Sequence, residues 1–305
     1  MALDARKIVL APESAATESP TGLSVRVVRL AFQMLAAISP DAAARAAAQL
    51  WFMPPRPKIR PEARAFLETG RRSTLLVRGR PVALWRFGSG PPVILVHGWG
   101  GYGGQMQPFV DPLVRAGHEV IVFDAPAHGD SGPSELGAGR TTLFEFAHTL
   151  DALAREVGDF AGIIAHSGGS TAAAWALTTA KWSVRSLVMI APMASPIAYK
   201  KVFHGALGLN NDVLRRFNEY TERRFGFQWS DFEVPAMATR TRTPPLLVVH
   251  DRDDTETSWQ EGAAIADAWP QSALHTTTGL GHRRILRDPA VVEAVTAFIA
   301  SQSRR

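Results

Sequence analysis

Ile163-Ile-Ala-His-Ser-Gly-Gly-Ser170 decides the reading of this chain. Three residues that favour a buried strand, Ile163 to Ala165, run into a histidine, a serine and two glycines. A helical stretch, Gly169 to Ala180, follows at once. A serine between small residues at two before (Ala165) and two after (Gly169) suits a sharp strand-to-helix turn, because larger side chains there would clash. Such a turn lifts the hydroxyl above the carboxyl end of a sheet. The following helix aims its positive N-terminal end at the same place. Ser167 is therefore the candidate nucleophile, and the Gly168 amide a candidate oxyanion donor. The plainer alternative is a serine in an ordinary strand–turn–helix connection.

Outward from this segment, apolar runs alternate with helical stretches. Val93 to His97, Val120 to Phe123, Gly162 to Ala165, Ser186 to Ile190 and Leu246 to Val249 are continuous apolar runs, as strands buried on both faces require. Leu274 to Thr278 is a weaker one. Ser73 to Val77 and Val82 to Phe87 form a predicted hairpin around Gly79-Arg80-Pro81. Helices are expected over Met106 to Ala116, Thr142 to Val157, Trp259 to Trp269 and Pro289 to Ala300. This alternation predicts an α/β fold: a mostly parallel, doubly wound sheet covered by helices on both sides. About fifty residues separate the strands ending at Ile190 and starting at Leu246, a length expected of a functional insertion or added subdomain. It is read as a small helical cap over about 195–243.

Other segments carry chemistry-bearing residues in the same chain order. Val93-Ile-Leu-Val-His-Gly-Trp-Gly-Gly101 ends a strand in a glycine-rich loop. It has neither the Lys-Ser/Thr nor the Gly-x-Gly-x-x-Gly spacing of a phosphate loop. Phe123-Asp-Ala-Pro-Ala-His-Gly-Asp-Ser131 follows the next strand. His250-Asp-Arg-Asp-Asp254 follows Leu246 to Val249, and Gly279-Leu-Gly-His282 precedes the last helix.

Together these segments resemble the α/β-hydrolase family, serine hydrolase and esterase-like, from about residue 73 to the C-terminus. The usual first glycine of the family's Gly-x-Ser-x-Gly is Ala165 here. The resemblance implies a triad of Ser167, Asp254 and His282, with His282 as base, in the fold's usual order of nucleophile, acid and histidine. It implies an oxyanion hole from the amides of Trp99 and Gly168. Asp253 remains a rival to Asp254, since one residue of register exchanges them. Ala191 to Ser195, where some members carry the acid, has no carboxylate. Asp124 and His128 fall in a loop that is mainly structural in the family. His275 and His166 are decoys for the base.

The resemblance implies covalent acyl transfer on a small-molecule carboxylic ester, with thioester and lactone as variants and no metal or organic cofactor. An acyltransferase or cofactor-free perhydrolase on the same triad is the first alternative, and a non-catalytic ligand-binding protein the second. Trp99, Met193 and Phe203 are candidate pocket residues, with other cap aromatics.

Composition sets outer limits. The chain has 305 residues and no cysteine, which excludes disulfides, thiolate metal sites and a cysteine nucleophile. The net charge is +5. Its arginines come as scattered pairs such as Arg71-Arg72 and Arg283-Arg284. That reads as dispersed surface charge rather than a nucleic-acid face. Residues 1–72 are expected to be a helical arm outside the hydrolase domain, 73–305. Val25 to Ile38 and Ala42 to Trp51 are its helical stretches, packed on the main domain or on a partner copy. A membrane-resting helix is the alternative, for which Arg26 and Arg29 are little support. Met1 to Pro20 carries Asp4, Glu13 and Glu18 and no clean apolar stretch, so no signal peptide is read and a cytoplasmic location is expected.

Overall fold

A computed structural model describes residues 23–303, so the signal-peptide reading of the first twenty residues lies outside the described part. Its centre is an eight-stranded sheet in the order β1-β2-β4-β3-β5-β6-β7-β8. The strands are β1 (Arg71–Val77), β2 (Arg80–Phe87), β3 (Pro92–Val96), β4 (Glu119–Phe123), β5 (Gly162–His166), β6 (Leu187–Ile190), β7 (Leu246–Asp251) and β8 (Ser272–Thr277). β1 and β2 form the expected hairpin, and β2 pairs antiparallel with β4. All pairings from β4 through β3 to β8 are parallel.

The apolar runs are continuous because each central strand is covered twice. Ile94 and Val96 of β3 join Ile163 and Ala165 of β5 in the core on one face. Val93, Leu95 and Ile164 point into the core on the other. This is the period-two alternation of a strand in a two-sided sheet.

Before the sheet come α1 (Leu23–Ile38), α2 (Pro40–Trp51) and α3 (Pro61–Glu68). Between β3 and β4 a 3-10 segment, Gly103–Phe109, leads into α4 (Val110–Arg115). α5 (Leu143–Val157) starts in a capping box of Thr142 and Glu145, and α6 (Gly168–Thr179) starts at the serine turn. Between β6 and β7 lie α7 (Pro196–Ala206), α8 (Asn211–Phe225), a 3-10 turn at Trp229–Phe232 and α9 (Val234–Met237). α10 (Trp259–Ala268), α11 (Gly281–Arg284) and α12 (Pro289–Ser303) follow. α5, α6 and α10 cover one face of the sheet; α4 and α12 cover the other. In α12, Val291, Val295 and Ile299 are buried at four-residue spacing, the stripe of a helix laid on a sheet.

The N-terminal helices pack on the insertion between β6 and β7. α2 buries Ala43, Ala44, Ala47 and Ala48, and their small side chains let α8 approach closely. Arg216 of α8 pairs with Asp41 at 2.8 Å. Trp51 meets the rings of Phe203, Phe217 and Trp229 edge-on, with centroids 5.2 to 6.2 Å away. α1 is partly buried along Val28, Phe32 and Leu35 but exposes Val27, Leu30, Met34 and Ile38. No helix among the described residues is long and apolar enough to cross a membrane.

Candidate active site

Ser167 sits between β5 and α6 with φ +52° and ψ −128°. An L-residue adopts this conformation only under strain, at a cost of roughly 1–3 kcal/mol. The neighbours enforce it. The Ser167 amide donates to the Ile190 carbonyl at 2.9 Å, tying the turn to β6. A Cβ on Gly169 would collide with the carbonyl oxygen of His97. A Cβ on Gly98 would lie 3.1 Å from the Ser167 Cβ and from His166 Nδ1. The small residues around the serine are therefore required by the β3 loop lying directly against the turn.

That same loop brings the Trp99 amide beside Gly168. A Cβ on Gly168 would be 3.7 Å from the Trp99 nitrogen. Gly168 is the first residue of α6, so its N–H has no acceptor within the helix. Neither amide donates to another backbone carbonyl among the described residues. Two uncommitted N–H groups thus lie side by side next to Ser167.

The β3 loop is held by two neutral histidines and a buried acid. His97 donates from Nδ1 to the Gly98 carbonyl at 2.8 Å and accepts the Ala125 amide at Nε2, 3.0 Å away. Burial pushes His97 down to about 4. His128 accepts the Gly100 amide at Nε2 and donates from Nδ1 to the Pro126 carbonyl. Asp124 accepts the amides of Gly103 at 2.6 Å and Asp130 at 2.7 Å. Burial, opposed by these bonds, raises its carboxyl to about 6. All three groups are spent on backbone, which is a structural use.

The two carboxylates left open by the sequence separate clearly. Asp254 is buried, with Oδ2 2.7 Å from His282 Nδ1. Its Oδ1 accepts the amides of Glu256 and Thr257 at 2.8 and 3.0 Å. The Thr257 hydroxyl lies 3.1 Å from Oδ2. Burial alone would raise this carboxyl; the bonds from His250 and His282 and from the Thr257 amide outweigh it and hold the group well below the usual carboxylate range. Asp253 is exposed and accepts the Gly279 amide at 2.8 Å. Asp251 accepts the Thr277 hydroxyl and the Leu280 amide, fastening the loop that carries His282. His275 lies in β8, paired with Val249, away from this cluster. His166 donates from Nε2 to the His282 carbonyl at 3.0 Å, and burial lowers it to about 3.

Ser167, Gly168, Trp99 and His282 line one cavity of about 590 Å³. Met193 lines it as well; Phe203 does not. The expectation that Phe203 forms the pocket is corrected. Its face of α7 turns into the packing against Trp51 and His204, where it is buried. The inner walls are instead Phe144, Phe227, Trp229 and Phe232, with Trp51 and Phe52 from the N-terminal helices.

Sequence reasoning missed two kinds of residue. The first is the pair His250 and Thr257 around the acid: His250 Nε2 is 3.3 Å from Asp254 Oδ2, so this carboxylate lies between two histidines. The motif His250 to Asp254 held the signal, a histidine four residues before the acid. The second is the arm's share of the cavity, for which the sequence carries no local signal.

A model of the α/β hydrolase fold family matches residues 91–275. The chain belongs to the alpha/beta hydrolase fold family. Among solved structures with this hydrolase fold, a monoacylglycerol lipase from Paleococcus ferrophilus superposes with a TM-score of 0.57 at 21% identity, over 72% of this chain and 99% of the other. An esterase from a Rhodococcus species gives 0.56 at 18% identity, over 76% and 99%. A putative lipase from Acinetobacter baumannii gives 0.62 at 14% identity, over 81% and 99%. At such identities the likeness establishes the hydrolase fold and nothing finer. No curated protein matches the sequence.

Proposed function

We propose that this chain is a serine hydrolase that cleaves a carboxylic ester through Ser167, His282 and Asp254. The observation carrying the reading is the 2.7 Å contact of His282 Nδ1 with buried Asp254, in a cavity shared with the strained Ser167. The carboxylate holds the Nδ1–H tautomer, leaving Nε2 free to take a proton. Ser167 Oγ attacks the ester carbonyl and passes its proton to Nε2. The oxyanion forms against the Trp99 and Gly168 amides, each donor of this kind contributing about 3–4 kcal/mol to the transition state. His282 then returns the proton to the leaving alcohol, and an acyl-enzyme remains. Water deprotonated by His282 releases the acid.

The likeness to the fold of a lipase and of an esterase agrees with an ester substrate. In this reading residues 73–305 form the hydrolase domain, about 195–243 its cap, and the helices before residue 73 an arm that closes the cavity with the cap. The aromatic inner wall suits an apolar acyl chain. A nitrophenyl ester series of rising acyl length tests this: hydrolysis should peak at medium length and vanish in His282→Ala. Undiminished turnover by that variant would remove the proposed base.

A further inference from the structure

The residues lining the cavity are divided by chemistry. Its inner walls are the buried rings of Phe227, Trp229 and Phe232. Five basic residues also line it: Arg56, Lys58 and Arg60 from the segment joining α2 to α3, and Arg283 and Arg287 beside His282. All but Arg60 are exposed, so they form the solvent side. The one acid lining the cavity is Glu256, and Arg283 occupies it through two bonds of 2.8 and 3.0 Å. Arg60 pairs with Glu62 at 3.4 Å. Arg56 donates only to the neutral carbonyl of Ala127. Lys58 and Arg287 pair with no carboxylate among the described residues. Three positive charges at the mouth are thus unneutralised there. The arginines that looked dispersed in the sequence are partly gathered by the fold around one opening.

Resting on the hydrolase reading, we infer that the natural substrate is an ester of an apolar acid whose leaving group carries an anion, a carboxylate, sulfate or phosphate. The aromatic wall takes the acyl chain. Arg287 lies in the turn directly after the short helix of His282, the group that protonates the departing oxygen, so the anion belongs to the alcohol half. A cleft lined by one sign of charge concentrates oppositely charged ligands and speeds their capture, by about tenfold to a thousandfold. Guanidinium groups also bind carboxylate and phosphate through paired N–H donors.

The test uses two monomeric esters with one chromophore: an octanoyl ester of a nitrophenol bearing a ring carboxylate, and the same ester with that carboxylate methylated. The full chain should show kcat/KM at least about tenfold higher for the charged ester at low salt. That ratio should fall toward one in about 1 M salt, where the screening length is about 3 Å. It should fall likewise in the double variant Lys58→Glu, Arg287→Glu. A ratio of one or less in the unaltered protein, or a preference indifferent to the double substitution, would overturn the inference. In that case turnover of the methylated ester, with covalent labelling of Ser167, keeps the hydrolase reading standing; loss of both turnover and labelling removes both.

Discussion

Replacing Asp254 by asparagine changes hydrogen-bond polarity at a site where every direction is already assigned. Oδ1 faces two backbone donors, the amides of Glu256 and Thr257. The asparagine oxygen must stay there, because turning the amide would leave both N–H groups, the Thr257 one buried, facing an N–H₂, at about 1–3 kcal/mol for the buried one. The new N–H₂ therefore occupies the Oδ2 position, 2.7 Å from His282 Nδ1. It can only donate, so Nδ1 must accept and the ring proton moves to Nε2. In the proposed mechanism that is the atom that takes the Ser167 proton. A wrong tautomer of this kind costs roughly 10⁴ in kcat in the serine-protease case, which is about 5.5 kcal/mol of barrier. Asp253→Asn keeps an oxygen for the Gly279 amide on an exposed side chain. Its kcat should change less than about threefold, within the range of a surface substitution. The assay is kcat on a nitrophenyl ester, with the melting temperature of each variant as a check on folding. If Asp253→Asn loses most of the activity and Asp254→Asn keeps it, the assignment of the acid and the tautomer argument both fail.

Other substitutions test the supports of the site. Gly169→Ala drives a methyl group into the His97 carbonyl and should lower stability by about 1–3 kcal/mol, read by urea unfolding; an unchanged midpoint would show that the β3 loop can retreat. Gly98→Ala puts a methyl group 3.1 Å from the Ser167 Cβ and should depress kcat more than stability, which esterase assays and melting curves separate. Lys200 is buried with its ammonium 3.9 Å from the Trp229 ring centre, and burial lowers it to about 7, although the ring favours the charge. The unfolded chain binds that proton up to about pH 10.4, so folding is penalised fully below pH 7 and progressively less above it. Lys200→Met should raise the melting temperature more at pH 6 than at pH 9, and an equal rise at both would contradict the shift.

Much of the fold was legible because buried strands of a doubly wound sheet need continuous apolar runs, and this chain supplies them at β3 to β7. The serine turn was legible for a related reason: only small residues fit between the turn and the β3 loop. The stretch Met106 to Ala116 read as one helix, yet its first part belongs to a 3-10 segment with Pro108 inside it, and α4 begins only at Val110. α3 escaped notice because eight residues with two buried positions, Ala63 and Leu67, make a faint pattern. At the site, Asp253 and Asp254 differ by one residue of register in the sequence, and only the folded chain buries Asp254 against His282 and leaves Asp253 exposed. Phe203 was misplaced because aromatic content does not reveal which face of α7 turns inward. The basic residues of 56–60 and 283–287 gave no local signal, since segments more than two hundred residues apart come to line one cavity only in the folded chain.

The central claim is that Ser167 is a nucleophile activated by His282. A fluorophosphonate probe reacts covalently with such a serine, and peptide mapping by mass spectrometry locates the adduct. The account predicts one adduct, on Ser167, formed rapidly by the intact protein, strongly slowed in His282→Ala and absent in Ser167→Ala. Folded protein that forms no adduct, or Ser167→Ala that labels as well as the original, would contradict it.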